Sequence, residues 1–285
     1  MMTPDLVAPE HTAERVALWR ALYAQVDPPP HVLEDLVGLE LLAPGDDWRS
    51  RPDMDQQSTG GFRAAVVARA RFIEDLVIEQ AALGVTQYVI LGAGLDTFAQ
   101  RRPDTAGRLN VFEVDQPGPQ AWKRSRLIEL GFGLPDWLHL VPVDFESGQS
   151  WWDRLSAAGF DPNRPAVVAS TGVSHYLSED ATRTTLRQVA GLADGSTLAM
   201  TFLLPVELVD ADDRAGLRTS ADGANAAGTP FVSFYTPAQM EALARDAGFR
   251  TTRHVAGATL AERYFGNRTD TPRPSSGEDF LLATV

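Results

Sequence analysis

The stretch Tyr88-Val-Ile-Leu-Gly-Ala-Gly-Leu-Asp96 is where residue type and spacing bear most directly on chemistry. A short apolar run empties into Gly92-Ala93-Gly94, and without side chains there a ligand can lie against the backbone. Taken alone, Gly-x-Gly is equally well a tight strand-to-helix turn. The following apolar run, Val111-Phe-Glu-Val-Asp115, shifts the balance because it ends in a carboxylate 21 residues after Gly94. An acid at about that distance, after the second strand of a nucleotide-binding sheet, meets ribose hydroxyls. Asp115 could also cap a helix starting at Gln116-Pro117. Loop and carboxylate together predict a cofactor built on adenosine.

A third strand-end acid, Asp144, stands in Val141-Pro-Val-Asp-Phe145. From there it can reach the exocyclic amine of adenine while Phe145 lies against the ring. The ordinary alternative is a loop aspartate. Two cofactors share such a site. A dinucleotide wants a third glycine for its pyrophosphate, and here that place falls to Thr97, after Leu95 and Asp96. Acids beside the loop repel a diphosphate but suit a sulfonium carrying an ammonium group. The residues therefore favour S-adenosylmethionine over a nicotinamide dinucleotide.

Acid–base candidates are few. His175 and Tyr176 follow the fourth predicted strand, on the side of the expected pocket. The plain reading of His175 is an imidazole bonded to backbone, and Tyr176 is more commonly packing. His11, His31, His139 and His254 lack ligand spacing, cysteine is absent, and no metal site is expected. Gly172-Val-Ser174 is no nucleophile elbow, since Tyr176 stands where the closing glycine would be.

Positioning these groups requires strands alternating with helices. Apolar runs predict strands at Gln87–Leu91, Leu109–Val114, Leu138–Val143, Ala166–Ala169 and Ser196–Leu203, then Phe249–Val255 and Phe280–Val285. Helical spacing is expected over Phe62–Leu83, Gly118–Leu130, Trp151–Ala158, Glu179–Leu192 behind Ser178, and Pro237–Ala247 between Thr236 and Gly248. Such alternation implies an α/β fold with a mostly parallel sheet covered on both faces. Polar stretches at Pro44–Gly61, Val209–Pro230 and Gly266–Asp279 punctuate it.

With 38 acidic against 25 basic residues the chain carries a formal charge of −13, which argues against nucleic acid as a partner. Its densest basic stretch, Lys123, Arg124 and Arg126, reads as a solvated helix face. No apolar run approaches the roughly 18 residues of a membrane span, and the first ten residues lack a signal peptide's pattern. The expectation is a cytoplasmic enzyme acting on a small molecule. Nothing in the sequence sets its oligomeric state.

Several motifs together resemble the leucine carboxyl methyltransferase-like family and its bacterial branch of S-adenosylmethionine-dependent methyltransferases. They are Arg69-Ala-Arg71-Phe-Ile-Glu-Asp75, Val89 to Thr97, Phe112-Glu-Val-Asp-Gln-Pro117 with Lys123, Val143-Asp144-Phe145, Gly172 to Leu177, Pro230 to Pro237, and Arg263-Tyr-Phe265. The resemblance runs from about Thr12 to the C-terminus. It implies one class I methyltransferase domain, Rossmann-like and seven-stranded, with an N-terminal helical cap over 1–83. The core would occupy 84–285, with an insertion near 205–235. By the same resemblance Asp115 holds the ribose, Asp144 and Phe145 the adenine, Gly92 and Gly94 the methionine part, and Arg69 or Arg71 its carboxylate. Two arginines two positions apart cannot share one helix face, so at most one serves. There is one departure: Thr171 stands where the family carries a glutamate near the cofactor's amino group. The activity implied is O-methylation of a carboxylate or hydroxyl on a small metabolite. An NAD(P)-dependent oxidoreductase, or a non-catalytic relative that keeps the cofactor pocket, is the alternative.

Overall fold

Five-residue apolar runs build the centre of the sheet. In a computed structural model, which describes residues 7–143, 150–270 and 272–285, β1 (Gln87–Leu91) and β4 (Ala166–Ser170) are buried at every position. That is the burial expected of parallel strands covered on both faces. Around them lie β2 (Asn110–Asp115), β3 (Leu138–Pro142), β5 (Thr197–Leu203), β6 (Thr251–Val255) and β7 (Glu278–Thr284), in the order β3-β2-β1-β4-β5-β7-β6. Neighbours from β3 to β5 are parallel, while β7 runs antiparallel between β5 and β6. The sheet is the seven-stranded, mostly parallel one of class I methyltransferases.

The remaining elements are α1 (His11–Val26), α2 (Val37–Leu42), α3 (Gly60–Ala82), α4 (Phe98–Arg101), α5 (Pro103–Ala106), α6 (Pro117–Glu129), α7 (Trp151–Ala157), α8 (Glu179–Ala190), α9 (Arg214–Ala226), α10 (Pro237–Ala247) and α11 (Gly257–Phe265). The pleat sends alternate strand residues to opposite layers. Tyr88 and Ile90 pack with Val67 and Phe72 of α3 and Leu260 of α11. Val89 and Leu91 pack with Leu155 of α7, Leu186 of α8 and Met240 of α10. Ser178 caps α8 and Thr236 caps α10 with Gln239 in a reciprocal box, and Gly248 ends α10 at φ 111°.

One polar stretch is more ordered than its composition suggests. Within 209–230 lies the thirteen-residue α9, preceded by Asp213, whose carboxylate accepts hydrogen bonds from Ser276 N, Ser276 Oγ and Arg273 Nη2. That carboxylate ties the segment to the chain just before β7. The N-terminal layer is fixed similarly. Arg20 on α1 donates to Asp35 (2.6 Å) and to Leu95 O (2.7 Å), while Thr97 Oγ1 donates to Asp35 (2.6 Å). Trp19 stacks on Phe62 of α3 with ring centroids 5.4 Å apart. Among the described residues no helix is long and apolar enough to cross a membrane.

Candidate active site

From β1 the chain goes outward to β2 and β3, then returns to β1's other side as β4. The loops leaving β1 and β4 therefore diverge, and a crevice opens at their carboxyl ends. Gly92 and Gly94 line it with φ of 69° and 49°, left-handed values that side chains other than glycine's rarely adopt. A Cβ at Gly92 would stand 2.4 Å from Val173 Cγ2, so the β4 loop sits where a side chain would have been. The backbone N–H groups of Gly92 and Ala93 both donate to Val114 O, which clamps the turn to β2.

Asp115 closes this end. Its Oδ2 accepts from Gly94 N and its Oδ1 from Gln116 N (2.7 Å), so it orders the loop and still offers lone pairs to a ligand. Burial raises its carboxyl above the usual range, opposed by those two N–H groups and by Lys123. Asp96 Oδ1 accepts from Phe98 N (2.9 Å) at the start of α4. Lys123 does not lie on a solvated face, as its basic neighbours suggested. Its ammonium is 1% exposed, pairs with the equally buried Glu113 at 2.5 Å and donates to Asp96 O at 2.7 Å. Only Arg124 of the three is exposed. The first helical turn after Pro117 sets the phase of α6, which turns Lys123 inward onto β2.

One cavity of about 590 Å³ extends from this loop beneath α1 to a second wall made by the β4 loop, the 228–232 segment and the start of β7. On that wall Arg69 Nη1 donates to both carboxylate oxygens of Glu278, at 2.9 and 2.7 Å. Thr201 bonds Glu278 as well, and its Oγ1 accepts from Gly172 N at 2.8 Å. Burial alone would raise Glu278's carboxyl. Arg69, Thr201 and His175 outweigh it and hold the group below the ordinary glutamate value. Burial pushes His175 down to about 4, with Arg69 adding to the effect and Glu278 opposing it. The imidazole is therefore neutral at physiological pH. Its ring lies 4.2 Å from that of Tyr176 and 4.6 Å from that of Phe231, centroid to centroid.

Gly92, Gly94, Asp115, Arg69, Thr171, His175 and Tyr176 all line this cavity. Asp144 and Phe145 lie outside the described residues. Arg69 faces the cavity, whereas Arg71 pairs with Asp75 at 2.7 Å. The guanidinium of Arg69 is engaged by Glu278, a residue that sequence reasoning missed because it sits in a polar stretch without pattern. The Arg20–Asp35–Thr97 bridge was missed for a similar reason: its members are remote in sequence. His175 has no backbone partner at Nδ1, contrary to the plain reading of it.

The residues present fit S-adenosylmethionine. The glycine turn leaves backbone exposed to the cavity, and Asp96, Asp115 and Glu278 offer acids to a cationic ligand. Thr97, in place of a third glycine, is 1% exposed with its hydroxyl committed to Asp35, which leaves a diphosphate no cradle.

Comparison with known proteins agrees with the geometry. The family model for leucine carboxyl methyltransferase matches residues 13–190. The chain is 31% identical over 205 residues to "Putative S-adenosyl-L-methionine-dependent methyltransferase YktD" of Bacillus subtilis (strain 168), covering 72% of this chain and 67% of that one. It is 38% identical over 213 residues to a "Putative S-adenosyl-L-methionine-dependent methyltransferase" of Mycobacterium sp. (strain KMS), covering 70% and 67%. Its fold matches the solved structure of "a putative methyltransferase" from Thermobifida fusca with a TM-score of 0.62 at 18% identity, over 97% of this chain and 95% of the other.

Proposed function

Because the chain belongs to the leucine carboxyl methyltransferase family and is an S-adenosylmethionine-dependent methyltransferase, we propose that it methylates an oxygen of a small acceptor held beside His175. One observation carries this reading: a single cavity joins the glycine turn and Asp115 at one end to His175, Tyr176 and Phe231 at the other. When bound, the cofactor supplies a methyl group already activated by its sulfonium.

The chain's residues would divide the remaining work. Asp115 would hold the ribose hydroxyls, and the backbone at Gly92 and Gly94 would receive the methionine part. Arg69 is the cation nearest the β4 loop: a Cβ on Gly172 would lie 3.4 Å from its Nη1. It can serve the cofactor's carboxylate through its remaining donors while Glu278 fixes its orientation. Thr171 offers a neutral acceptor for the ammonium group. Asp144 and Phe145 remain the proposed adenine contacts. At the far wall His175, neutral and buried, would accept a proton from a hydroxyl as its oxygen turns nucleophilic, with Tyr176 packed against it. The helices over 1–83 and the segment near 205–235 would act within one methyltransferase domain as the parts that close over the acceptor and exclude water.

Calorimetric titration with S-adenosylhomocysteine, the demethylated product, tests the cofactor half. Asp115→Ala should weaken that binding by about 1–2 kcal/mol, through loss of a charge-assisted hydrogen bond. Titration heats identical to wild type would remove Asp115 from the ribose site. Transfer of labelled methyl to small alcohols, phenols or acids tests the other half, and transfer to amines alone would overturn the choice of oxygen.

A further inference from the structure

Three arginines line the cavity, and two of them are committed. Arg20 is held by Asp35 and Leu95 O, and Arg69 by Glu278. Arg15, one helical turn before Trp19 on α1, has no ion pair among the described residues. Its guanidinium stands over the Trp19 ring at 5.3 Å, and its buried Nε has no hydrogen-bond partner. Asp53, the acid that feels its charge, is already paired with Arg51 at 2.8 Å. His175 Nδ1 is likewise buried without a partner, on a residue only 6% exposed. Buried polar atoms are almost always satisfied, and Arg15 and His175, which both line the cavity, each keep one that is not, so both side chains retain bonding capacity that the protein does not use. They differ in kind, since Arg15 can only donate and carries positive charge, whereas the neutral imidazole can accept a proton.

Resting on the proposed O-methylation, we infer that the acceptor is an aromatic hydroxy acid, its anionic group held by Arg15 and its hydroxyl presented to His175. The aromatic frame follows from what lies between and beside the two groups. Tyr176 senses the charge of Arg15 and its ring touches that of His175, while Phe231 and the Trp19–Phe62 stack supply flat apolar walls. The orientation follows from charge. Glu278 adjoins His175 and would repel a carboxylate placed there, whereas at the other end the charge of Arg15 outweighs that of Glu10 at Tyr176. In the transfer the hydroxyl oxygen forms its bond to the methyl carbon as the carbon–sulfur bond breaks, and that electron pair stays on sulfur. The hydroxyl proton passes to His175, the sulfonium's positive charge reappears as imidazolium, and the acceptor's anionic group is unchanged.

The test uses the full-length protein loaded with S-adenosylhomocysteine and a panel of hydroxybenzoic and hydroxycinnamic acids, each paired with its methyl ester. Calorimetry should show the best acid binding tighter than its ester by roughly tenfold or more, the size of a charge-assisted contact. Arg15→Gln should abolish that preference and leave affinity for S-adenosylhomocysteine and for the ester unchanged. With labelled S-adenosylmethionine the product should be an alkali-stable ether. Equal binding of acid and ester, a loss of S-adenosylhomocysteine affinity in Arg15→Gln, an alkali-labile methyl ester as product, or no panel member bound would each overturn the inference. Should S-adenosylhomocysteine itself fail to bind wild type, the proposed function falls first, so the two failures are distinguishable.

Discussion

The two ends of the cavity are built on opposite principles. At the glycine turn the backbone N–H groups are satisfied within the protein. Gly92 and Ala93 bond Val114 O, Gly94 bonds Asp115, and Lys123 joins Asp96 O to a buried Glu113. At the far wall Arg15 and His175 are left with unsatisfied nitrogens, and the surfaces come from α1, the β4 loop, the 228–232 segment and β7. The first end is a preorganised backbone cradle whose shape is inseparable from the stability of the sheet. The second carries polar groups whose partners the protein does not supply. Under the proposed function a cofactor would fit the first arrangement and acceptor choice the second, because rigidity favours one fixed ligand while a particular substrate is recognised by the groups it alone can satisfy.

If this contrast is sound, substitutions at the cradle should cost stability and cofactor binding together. The largest effect is expected from Lys123→Ala, which strands Glu113 in the interior. Breaking a buried pair from one side costs about 3–5 kcal/mol, to be read as a lowered denaturant midpoint with weaker S-adenosylhomocysteine binding. A near-wild-type midpoint would mean that the pair does not hold the turn. Gly92→Ala comes next. The left-handed backbone and the overlap with Val173 should together cost roughly 2–5 kcal/mol, and binding should fall with the melting temperature. An unchanged affinity in this variant would show that the cradle tolerates a side chain and would erase the difference between the ends.

The far wall should respond to pH instead. Burial lowers the folded pKa of His175 to about 4, against about 6.5 in the unfolded chain. The unfolded state then takes up the proton first as pH falls. The contribution of His175 to stability is therefore complete above about pH 6.5 and is lost on descent toward about pH 4, roughly 3 kcal/mol in all. Denaturant unfolding at pH 7 and at several points down to pH 4 should show a flatter decline for His175→Gln than for wild type. Parallel curves would mean that His175 is not desolvated at this wall. The smallest effect expected is from Asp35→Asn on the bridge between the two ends. Its lowered carboxyl pKa reflects Arg20, Arg101 and Thr97 prevailing over burial. The contribution of Asp35 is thus full at neutral pH and fades only as pH falls through the folded value in the acid range. Loss of the charge should loosen α1 from the loop, detected as faster amide exchange at Leu95 to Thr97.

The same contrast governs what could be read in advance. Gly92, Gly94 and Asp115 were legible because strand–turn–helix geometry fixes their spacing, and that geometry is local. The capping of α8 by Ser178, and the start and stop of α10, were legible for the same reason. Lys123 misled because a run of basic residues says nothing of helix phase, and the phase of α6 against β2 buries one member and exposes the next. The polarity of 209–230 concealed α9, whose anchor is a contact from Asp213 to a segment some sixty residues later.

The sequence by itself determined the alternation of strands and helices, the glycine turn and the acid that closes it, since each depends on neighbours within a few tens of residues. Only the tertiary structure decided that Glu278 engages Arg69, that Arg71 turns away, and that Arg15 and His175 face one cavity with nitrogens unsatisfied. Those outcomes depend on which surfaces are brought together when α1, β4 and β7 pack, and pairing between charges distant along a chain leaves no periodicity for a reader to find.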